Sequence, residues 1–430
     1  AYFWLMSQYA DHTKPTSATL HIVEWLIDQA LGTHSVADTF DGLIGLLRAE
    51  GVPIARAHLA HTTLHPLYSG EGATWTSETG LIEEAYEHGR SAEVVGRSVS
   101  PIRHFVTNGL VRVRRRLTGS GATLDFPILN EFAAEGLTDY FLMAAGFESF
   151  FTPPGENEDL AGSESGMAVS FAANRETGFT DDELALMEAL LRPLATVVKL
   201  ADQRQVALNL AECYIGHEAG PRVLGGAIQR GDFDTTSAVT FLADLRGSTE
   251  LSSTLPRDEY IATINEFFDC AVGAVEEERG EPLTFIGDGV LAIFPIDTLG
   301  PQRAREAAKA AARRAAAALD ALNETREAAG KPALGFGIAL HAGDLEYGNI
   351  GSLRRHAWSV VGAVVNETAR LEGTTKTTGE RIVASRAFVD GLPGDDWRAL
   401  GAFDLKGVPG LFEVFGAPVT ASSKTLKEPA

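Results

Sequence analysis

The chain has 430 residues, 45% hydrophobic and 22% charged, which is typical of a folded globular chain with room for two or three domains. The formal net charge of -22 argues against general affinity for nucleic acids or anionic membranes, because both need basic surfaces. No apolar run approaches the roughly 20 residues that cross a bilayer, and the apolar start at residues 2–6 is too short for a span or a signal segment. We therefore predict a cytoplasmic protein without nucleic-acid or membrane partners.

The first part of the chain predicts a small α+β module. Residues 17–48 carry apolar residues at roughly helical spacing and predict one helix. Residues 51–175 mix short apolar runs with turn-rich stretches, which is typical of strands. A helix, then strands, then a closing helix suggests a regulatory α/β domain over residues 1–179. It resembles a GAF-type sensor domain by its order of elements alone, and such a module can hold a small-molecule ligand that the residues do not identify.

Three histidines form the densest His cluster of this part: His58, His61 and His65. On a strand, His61 and His65 share one face and His58 lies on the other, whereas on a helix all three lie roughly on one face. We interpret them as packed or solvated side chains, with metal or haem ligation as the alternative.

A long helical linker is predicted over residues 180–232. Thr180 and Glu183 have the spacing of a capping box, which starts a helix. Pro193 should kink this helix or divide it, and the glycine-rich residues 216–232 should form a connector. The apolar positions favour a coiled-coil-like dimer seam, with a helix packed on its own domain as the alternative. These positions are Leu184, Met187, Leu191, Leu194, Val198, Ala201 and Leu208.

The first catalytic signal is a largely apolar strand over residues 237–244 that ends in a carboxylate, Asp244. A small-residue turn and a helix follow, and a helix start offers free N–H groups to phosphates. The residues of this candidate phosphate-binding segment are Leu245, Arg246, Gly247, Ser248 and Thr249.

The second signal is a Gly-Asp-Gly turn between two β-rich runs over residues 283–294, which predicts a hairpin. The hairpin could place Asp288 beside Asp244, and two carboxylates with open water positions suit Mg²⁺. The third signal is Asn366 and Arg370, which lie four apart and so share one face of a helix. An amide and a guanidinium can together orient a ribose and neutralise a phosphoryl transition state.

These signals occur in one order that resembles the class III adenylate/guanylate cyclases, most closely their bacterial branch. The matching runs are FLADLRGST at 241–249, FIGDGVLAIF at 285–294, GIALHAG at 337–343, VNETAR at 365–370 and FDLKGVPG at 403–410. The resemblance implies an α+β catalytic domain with a ferredoxin-like βαββαβ core over residues 233–417, followed by a flexible tail at 418–430.

The resemblance also implies roles for individual residues. Asp244 and Asp288 match the aspartates that hold two Mg²⁺ or Mn²⁺ ions in each active site. Asn366 matches a ribose-orienting asparagine and Arg370 the arginine that stabilises the transition state, while Lys406 matches a phosphate-binding lysine. Family members work as head-to-tail dimers, so we expect a homodimer with its active sites at the interface.

Two positions depart from the family pattern and bear on the nucleotide base. Adenine-selecting members usually have lysine where this chain has Thr284, and aspartate or threonine where it has Ser359. Guanylate cyclases tend to have glutamate and cysteine there. We therefore predict an adenylate cyclase that converts ATP to cyclic AMP and is regulated by its N-terminal domain, with Gly287 also in the substrate site. The alternatives are a guanylate or relaxed-purine cyclase and a weakly active nucleotide-binding regulatory module.

Overall fold

The computed structural model describes residues 16–88, 100–102, 104, 112–147, 165–392 and 397–417. Contacts divide the chain into two compact units, Ala1–Leu210 and Ala211–Ala430, so the division falls inside the predicted linker. The predicted tail at 418–430 lies outside the described residues. Within those ranges, no helix combines the length and apolar character that crossing a membrane requires.

The N-terminal unit begins with two helices, α1 (Ser17–Leu31) and α2 (Val36–Ala49). The prediction of one helix over residues 17–48 was therefore wrong. Gly32 ends α1, and Ser35 begins α2 with a capping box in which its hydroxyl accepts from the Asp38 amide at 2.9 Å. Because the Ser35 cap begins a new helix after Gly32, the chain forms two helices although the apolar spacing continues across the break.

A six-stranded antiparallel sheet forms the middle of this unit, in the order β3-β2-β1-β6-β5-β4. Helix α3 (Pro127–Ala134) packs against one face, and α1, α2 and the start of α4 (Asp181–Ile215) pack against the other. The helix–sheet–helix order is as predicted, while the GAF likeness stays a prediction. The strands are β1 (Ile54–Thr62), β2 (Tyr68–Thr76), β3 (Gly80–Glu87), β4 (Arg112–Arg116), β5 (Asp139–Gly146) and β6 (Gly166–Ala173).

Helix α4 starts at the predicted capping box. The Thr180 amide donates to Glu183 Oε2 at 2.7 Å, and the Glu183 amide donates to Thr180 Oγ1 at 3.3 Å. The helix is 35 residues long and continues through Pro193. Its apolar positions Met187, Leu194 and Val198 lie in the core of the N-terminal unit. The dimer-seam prediction is therefore wrong for this part of α4, because its own domain buries the apolar stripe.

The C-terminal unit contains an eight-stranded sheet with the path β13-β14-β12-β10-β7-β9-β8, and β11 pairs with β10. The order β10-β7-β9-β8, with helices after β7 and β9, is the predicted βαββαβ core. The strands are β7 (Phe233–Arg246), β8 (Glu281–Ile286), β9 (Gly289–Pro295), β10 (Gly335–Gly351), β11 (His356–Val361), β12 (Ile382–Ser385), β13 (Arg398–Asp404) and β14 (Leu411–Gly416). The helices are α5 (Ala219–Leu224), α6 (Ser248–Thr254), α7 (Arg257–Glu277), α8 (Ile296–Leu299), α9 (Pro301–Ala328), α10 (Ala363–Thr378) and α11 (Arg386–Val389).

Strand β7 lies inside the C-terminal sheet between β10 and β9, and all 14 of its residues pair with β10. Because side chains alternate along a strand, its two faces pack against different partners. Val239, Phe241, Ala243 and Leu245 join the core formed with α7 and α9. Thr240 lies on the other face, where its hydroxyl is 2.6 Å from that of Thr368 on α10. Asp244 is in step with Thr240, so the sequence directs this carboxylate toward the α10 side.

Candidate active site

Asp244 and Asp288 lie together at one end of β7. Asp244 pairs with Gly289, the residue after Asp288, and the Leu245 amide donates to the Asp288 carbonyl at 3.3 Å. Burial and the negative charges of Asp288 and Glu372 raise the pKa of Asp244 to about 6, and Lys376 opposes this rise. The Asp244 side chain keeps 27% of its surface exposed, so the carboxylate pair is open to solvent on one side.

Two glycines shape the turn beside the Asp244 carboxylate, Gly289 by leaving room for it and Gly287 by its backbone conformation. A Cβ at Gly289 would lie 2.9 Å from Asp244 Oδ1, which is closer than real Cβ atoms come, and 3.1 Å from the Ala243 carbonyl, which is tighter than most real contacts. Gly287 has a φ of 62°, a left-handed conformation that glycine adopts readily in tight turns. The Gly-Asp-Gly sequence of the hairpin is therefore a packing requirement of the carboxylate site as well as a turn signal.

The donor chemistry of this pair fits Mg²⁺ or Mn²⁺. Two oxygen donors bearing like charges repel each other, and a hard divalent cation relieves that repulsion. Across the part of the chain that the structure describes, no group of three or more His, Cys, Asp or Glu side chains is arranged to hold a metal ion. The two aspartates would therefore form an open site, in which water and substrate phosphates supply the other ligands.

Sequence reasoning missed two residues of this site, Glu372 and Lys376 on α10. Glu372 is buried, accepts from the Thr375 hydroxyl at 3.1 Å and contributes to the raised pKa of Asp244. Lys376 Nζ lies 3.9 Å from Asp244 Oδ2. Their spacing of four marks them as helix neighbours, but only the packing of α10 across β7 and β10 shows that they face Asp244.

The predicted phosphate-binding segment divides into two parts. Leu245 lies in the core, and its amide is already used by Asp288. The Arg246 guanidinium donates to the carbonyls of Thr375 at 3.0 Å and Glu380 at 2.8 Å, and burial lowers its pKa. Both side chains thus serve the fold of their own domain, and a contact of these two residues with substrate stays a prediction. Gly247, Ser248 and Thr249 at the start of α6 are the other candidates.

The predicted transition-state residues lie on the outer face of α10. Asn366 and Arg370 are exposed, whereas Val364, Thr368 and Leu371 on the same helix are buried against the sheet. Neither Asn366 nor Arg370 makes a side-chain hydrogen bond within the described ranges. The two side chains share a face, as predicted, and that face points away from their own domain.

The remaining predicted contacts lie on two strands and one turn. Lys406 is exposed in the turn between β13 and β14. Thr284 on β8 and Ser359 on β11 are both partly buried, and the Thr284 hydroxyl donates to the Phe285 carbonyl at 3.4 Å, a long hydrogen bond. Both base-reading candidates therefore keep hydroxyl groups that can donate or accept.

Strand β8, which leads to Asp288, is tied to the connector at its first residue. The Glu281 carboxylate accepts from the Glu218 amide at 3.2 Å and from the Tyr347 hydroxyl at 2.8 Å, both through Oε1. Burial raises the pKa of Glu281 to about 7, and the charge of Glu218 adds to the rise while the Tyr347 hydroxyl opposes it. The connector thus contacts the same hairpin that carries Asp288.

Comparison with known proteins agrees with this geometry. Residues 232–411 match the model of the adenylate and guanylate cyclase catalytic domain. The uncharacterized protein Rv1319c of Mycobacterium tuberculosis is 33% identical over 196 residues, which are 46% of this chain and 35% of that protein. An adenylate cyclase of Anabaena cylindrica is 29% identical over 169 residues, 38% of this chain and 32% of that enzyme.

A solved structure gives a further comparison. The guanylyl cyclase Cya2 is 28% identical with a TM-score of 0.38, over 45% of this chain and 98% of that one. The chain spans about a third of the length of the curated relatives it matches.

Proposed function

We propose, from the premise that residues 232–411 form an adenylate and guanylate cyclase catalytic domain, that this chain converts ATP into 3′,5′-cyclic AMP and pyrophosphate. The observation that carries the proposal is that Asp244 and Asp288 lie together in an open carboxylate site at the end of β7, where Asp244 pairs with Gly289, the residue after Asp288. A working cyclase needs two neighbouring carboxylates to hold its metal ions. In a domain without that function such a pair would only reduce stability, because the two like charges repel each other.

The residues of this chain have distinct parts in the reaction. Asp244 and Asp288 would hold Mg²⁺ or Mn²⁺, two ions per site. When bound, these ions lower the pKa of the ribose 3′-hydroxyl and screen the phosphates. The ribose 3′-oxygen attacks the α-phosphorus in line, closes the cyclic ester and releases pyrophosphate. Asn366 orients the ribose, and the Arg370 guanidinium stabilises the negative charge that develops at the α-phosphate. Lys406, Ser248 and Thr249 bind the remaining phosphate oxygens.

The position of α10 supports an active site completed by a second copy of the chain. Glu372 faces Asp244 of its own domain, and at about 100° per residue Arg370 lies roughly 160° away around the helix. Arg370 therefore points away from its own Asp244 and toward solvent. In a head-to-tail homodimer, each chain supplies the carboxylates of one site and Asn366, Arg370 and Lys406 of the other.

The nucleotide base is read by Thr284 and Ser359 in this proposal. Neither side chain carries a charge, and both hydroxyls can donate to or accept from a purine edge. This neutrality favours a second candidate function, a guanylate or relaxed-purine cyclase, over a strict choice of ATP. A Thr284→Lys variant should raise the preference for ATP if this position reads the base, and an unchanged ratio of ATP to GTP turnover would remove Thr284 from that role.

The direct test is product analysis with the purified full chain at micromolar concentration. We expect cyclic AMP from ATP with Mn²⁺ or Mg²⁺, loss of product in Asp288→Asn, and unchanged product in Asp258→Asn, a matched change on the exposed start of α7. Cyclic GMP alone would establish the guanylate alternative. No cyclic product from either nucleotide would refute a cyclase. Thermal stabilisation by ATP without product would instead indicate a nucleotide-binding module.

We also propose that the N-terminal unit regulates this activity. It has its own sheet and core, separate from the catalytic core, and the 35-residue helix α4 is covalently continuous from one unit into the other. A ligand or modification that changes the N-terminal unit should alter the turnover number of the full chain. A turnover number that stays constant under every such change would contradict this role.

A further inference from the structure

A cavity of about 690 Å³ lies in the N-terminal unit, within the range of volumes that hold small molecules in proteins. It is bordered by the turn that leads into α2, by strands β1, β2 and β3, and by the part of α4 between residues 201 and 209. His61 and His65 line it and His58 does not, as expected for a cluster that begins on a strand. The histidine pattern in the sequence thus marks one wall of a cavity.

The wall contains a mostly buried carboxylate, one oxygen of which has no hydrogen-bond partner within the described ranges. Asp202 on α4 has 13% of its side chain exposed, and its Oδ1 atom is buried without a hydrogen-bond partner within the described ranges. The Nδ1 atom of His61 lies 3.6 Å from Oδ1. Leaving a buried carboxylate oxygen without a donor is costly, so this position favours a ligand that brings an N–H group.

His61 itself has an unused side toward the cavity. Its side chain is only 3% exposed, and Nδ1 lies 3.3 Å from the Thr62 carbonyl. Its Nε2 lies 4.0 Å from Glu71 Oε2, beyond hydrogen-bond distance. Asp202, His61 and Glu71 therefore form a row of polar groups whose separations are too long for direct hydrogen bonds, as expected of a site that a third group completes.

The charges around the cavity favour a ligand with a positive charge. Glu71, Glu83 and Glu84 join Asp202 in the lining. The cationic side chain of the lining, Arg204, already donates to the backbone carbonyls of the α1–α2 turn. A negative field of this kind repels anions and attracts cations. Burial raises the pKa of Asp202, while the Thr63 hydroxyl and His61 oppose this rise.

We propose that this cavity binds a small organic cation with a primary ammonium group, whose N–H donors complete Asp202 and Glu71. A metal ion is the weaker candidate, because no described group of three or more His, Cys, Asp or Glu side chains has the arrangement of a metal site. An ammonium supplies three N–H donors on one charged atom, and each can donate to a carboxylate oxygen. The site is independent of the catalytic residues, so its test does not depend on cyclase activity.

The experiment is a calorimetric titration of the full chain with 1,4-diaminobutane at 150 mM NaCl, where nonspecific attraction to the acidic surface is screened. We expect one binding site per chain, with 1-butanol and butyrate, which have the same carbon skeleton length, binding at least tenfold more weakly. Asp202→Asn should weaken diaminobutane binding at least tenfold. Glu78→Gln, a matched change at an exposed turn outside the cavity, should leave it within twofold.

A second measurement locates the site and guards against a folding defect. Diaminobutane should slow amide hydrogen exchange in the α4 segment 198–210 and in β2 of the wild-type chain, and Glu71→Gln should reduce that slowing. Absence of saturable diaminobutane binding would overturn the proposal. Equal binding by butyrate, or undiminished binding by a folded Asp202→Asn variant, would overturn it as well.

Discussion

Glu281 predicts an unusual pH dependence for the stability of the catalytic unit. Its side chain is buried, with 7% of the residue exposed, and Oε2 has no hydrogen-bond partner within the described ranges. The groups that face it are the Tyr347 hydroxyl on β10 and the amide and carboxylate of Glu218 before α5. Burial places the pKa of Glu281 at about 7, against an ordinary value of 4.5.

The direction of the effect follows from proton linkage. Below pH 4.5 the carboxyl is protonated in both the folded and the unfolded chain. Between about pH 4.5 and 7 the unfolded chain has lost this proton while the folded chain keeps it, so the folded state loses stability as the pH rises. At about 1.36 kcal/mol per pH unit, the loss over this window amounts to about 3 kcal/mol.

A Glu281→Gln variant removes the titration while keeping the size of the side chain. We expect the free energy of unfolding of the variant, relative to that of the wild type, to rise by about 3 kcal/mol between pH 4.5 and 7.5, so the variant becomes the more stable of the two. The measurement is urea-dependent hydrogen exchange of core amides in β7 and β9, which reports the stability of this unit separately. Glu276→Gln, an exposed acidic residue on α7, controls for the change in net charge. A difference between wild type and Glu281→Gln that does not vary with pH would refute the reasoning.

Three further predictions concern the carboxylate site. Mixing an inactive Asp244→Asn chain with an inactive Arg370→Ala chain should restore cyclase activity, because mixed dimers contain one complete site. Lys376→Met should strengthen Mn²⁺ binding about fivefold in the absence of nucleotide, measured by electron paramagnetic resonance, since removing a cation near Asp244 is worth about 1 kcal/mol at an exposed position. Gly289→Ala should lower turnover on the order of 10²-fold by displacing the Asp244 carboxylate.

Matched changes control for these variants. Lys331→Met removes an exposed lysine elsewhere in the unit and should leave Mn²⁺ affinity unchanged. Gly273→Ala adds a methyl group where nothing lies within 4 Å and should leave turnover unchanged. Mixed chains that stay inactive would contradict the shared site, unchanged Mn²⁺ affinity would contradict the role of Lys376, and normal turnover in Gly289→Ala would contradict the packing argument.

The parts of the site that the sequence predicts depend on local chemistry. Asp288 could be placed beside Asp244 because a Gly-Asp-Gly turn between two apolar runs implies a hairpin, and hairpins pair neighbouring strands. The start of α4 could be read from Thr180 and Glu183, which bond to each other across three residues. Both features involve residues that are close in sequence, and for this reason the sequence predicts them.

The parts that the sequence did not predict depend on tertiary packing. The apolar stripe of α4 has the same spacing whether a partner helix or its own domain buries it, and the structure shows Met187 and Leu194 in the domain core. Glu372 and Lys376 become part of the site only because α10 crosses β7. Arg246 was predicted to face phosphates, but the carbonyls that it binds come from residues more than a hundred positions away.

The two aspartates of the site sit on parts of the sheet with different mechanical freedom. Asp244 belongs to a strand paired with β10 along its whole length and with β9 on its other side, so its backbone is held from both sides. Asp288 belongs to a turn at the end of β8, which lies at the edge of this sheet and pairs with β9 on one side, so its backbone is held less firmly. Glu281 fastens the other end of β8 to the connector at Glu218. A shift of the connector would thus change the distance between Asp244 and Asp288. This change would alter the proposed binding of a cation without any contact between the connector and the nucleotide.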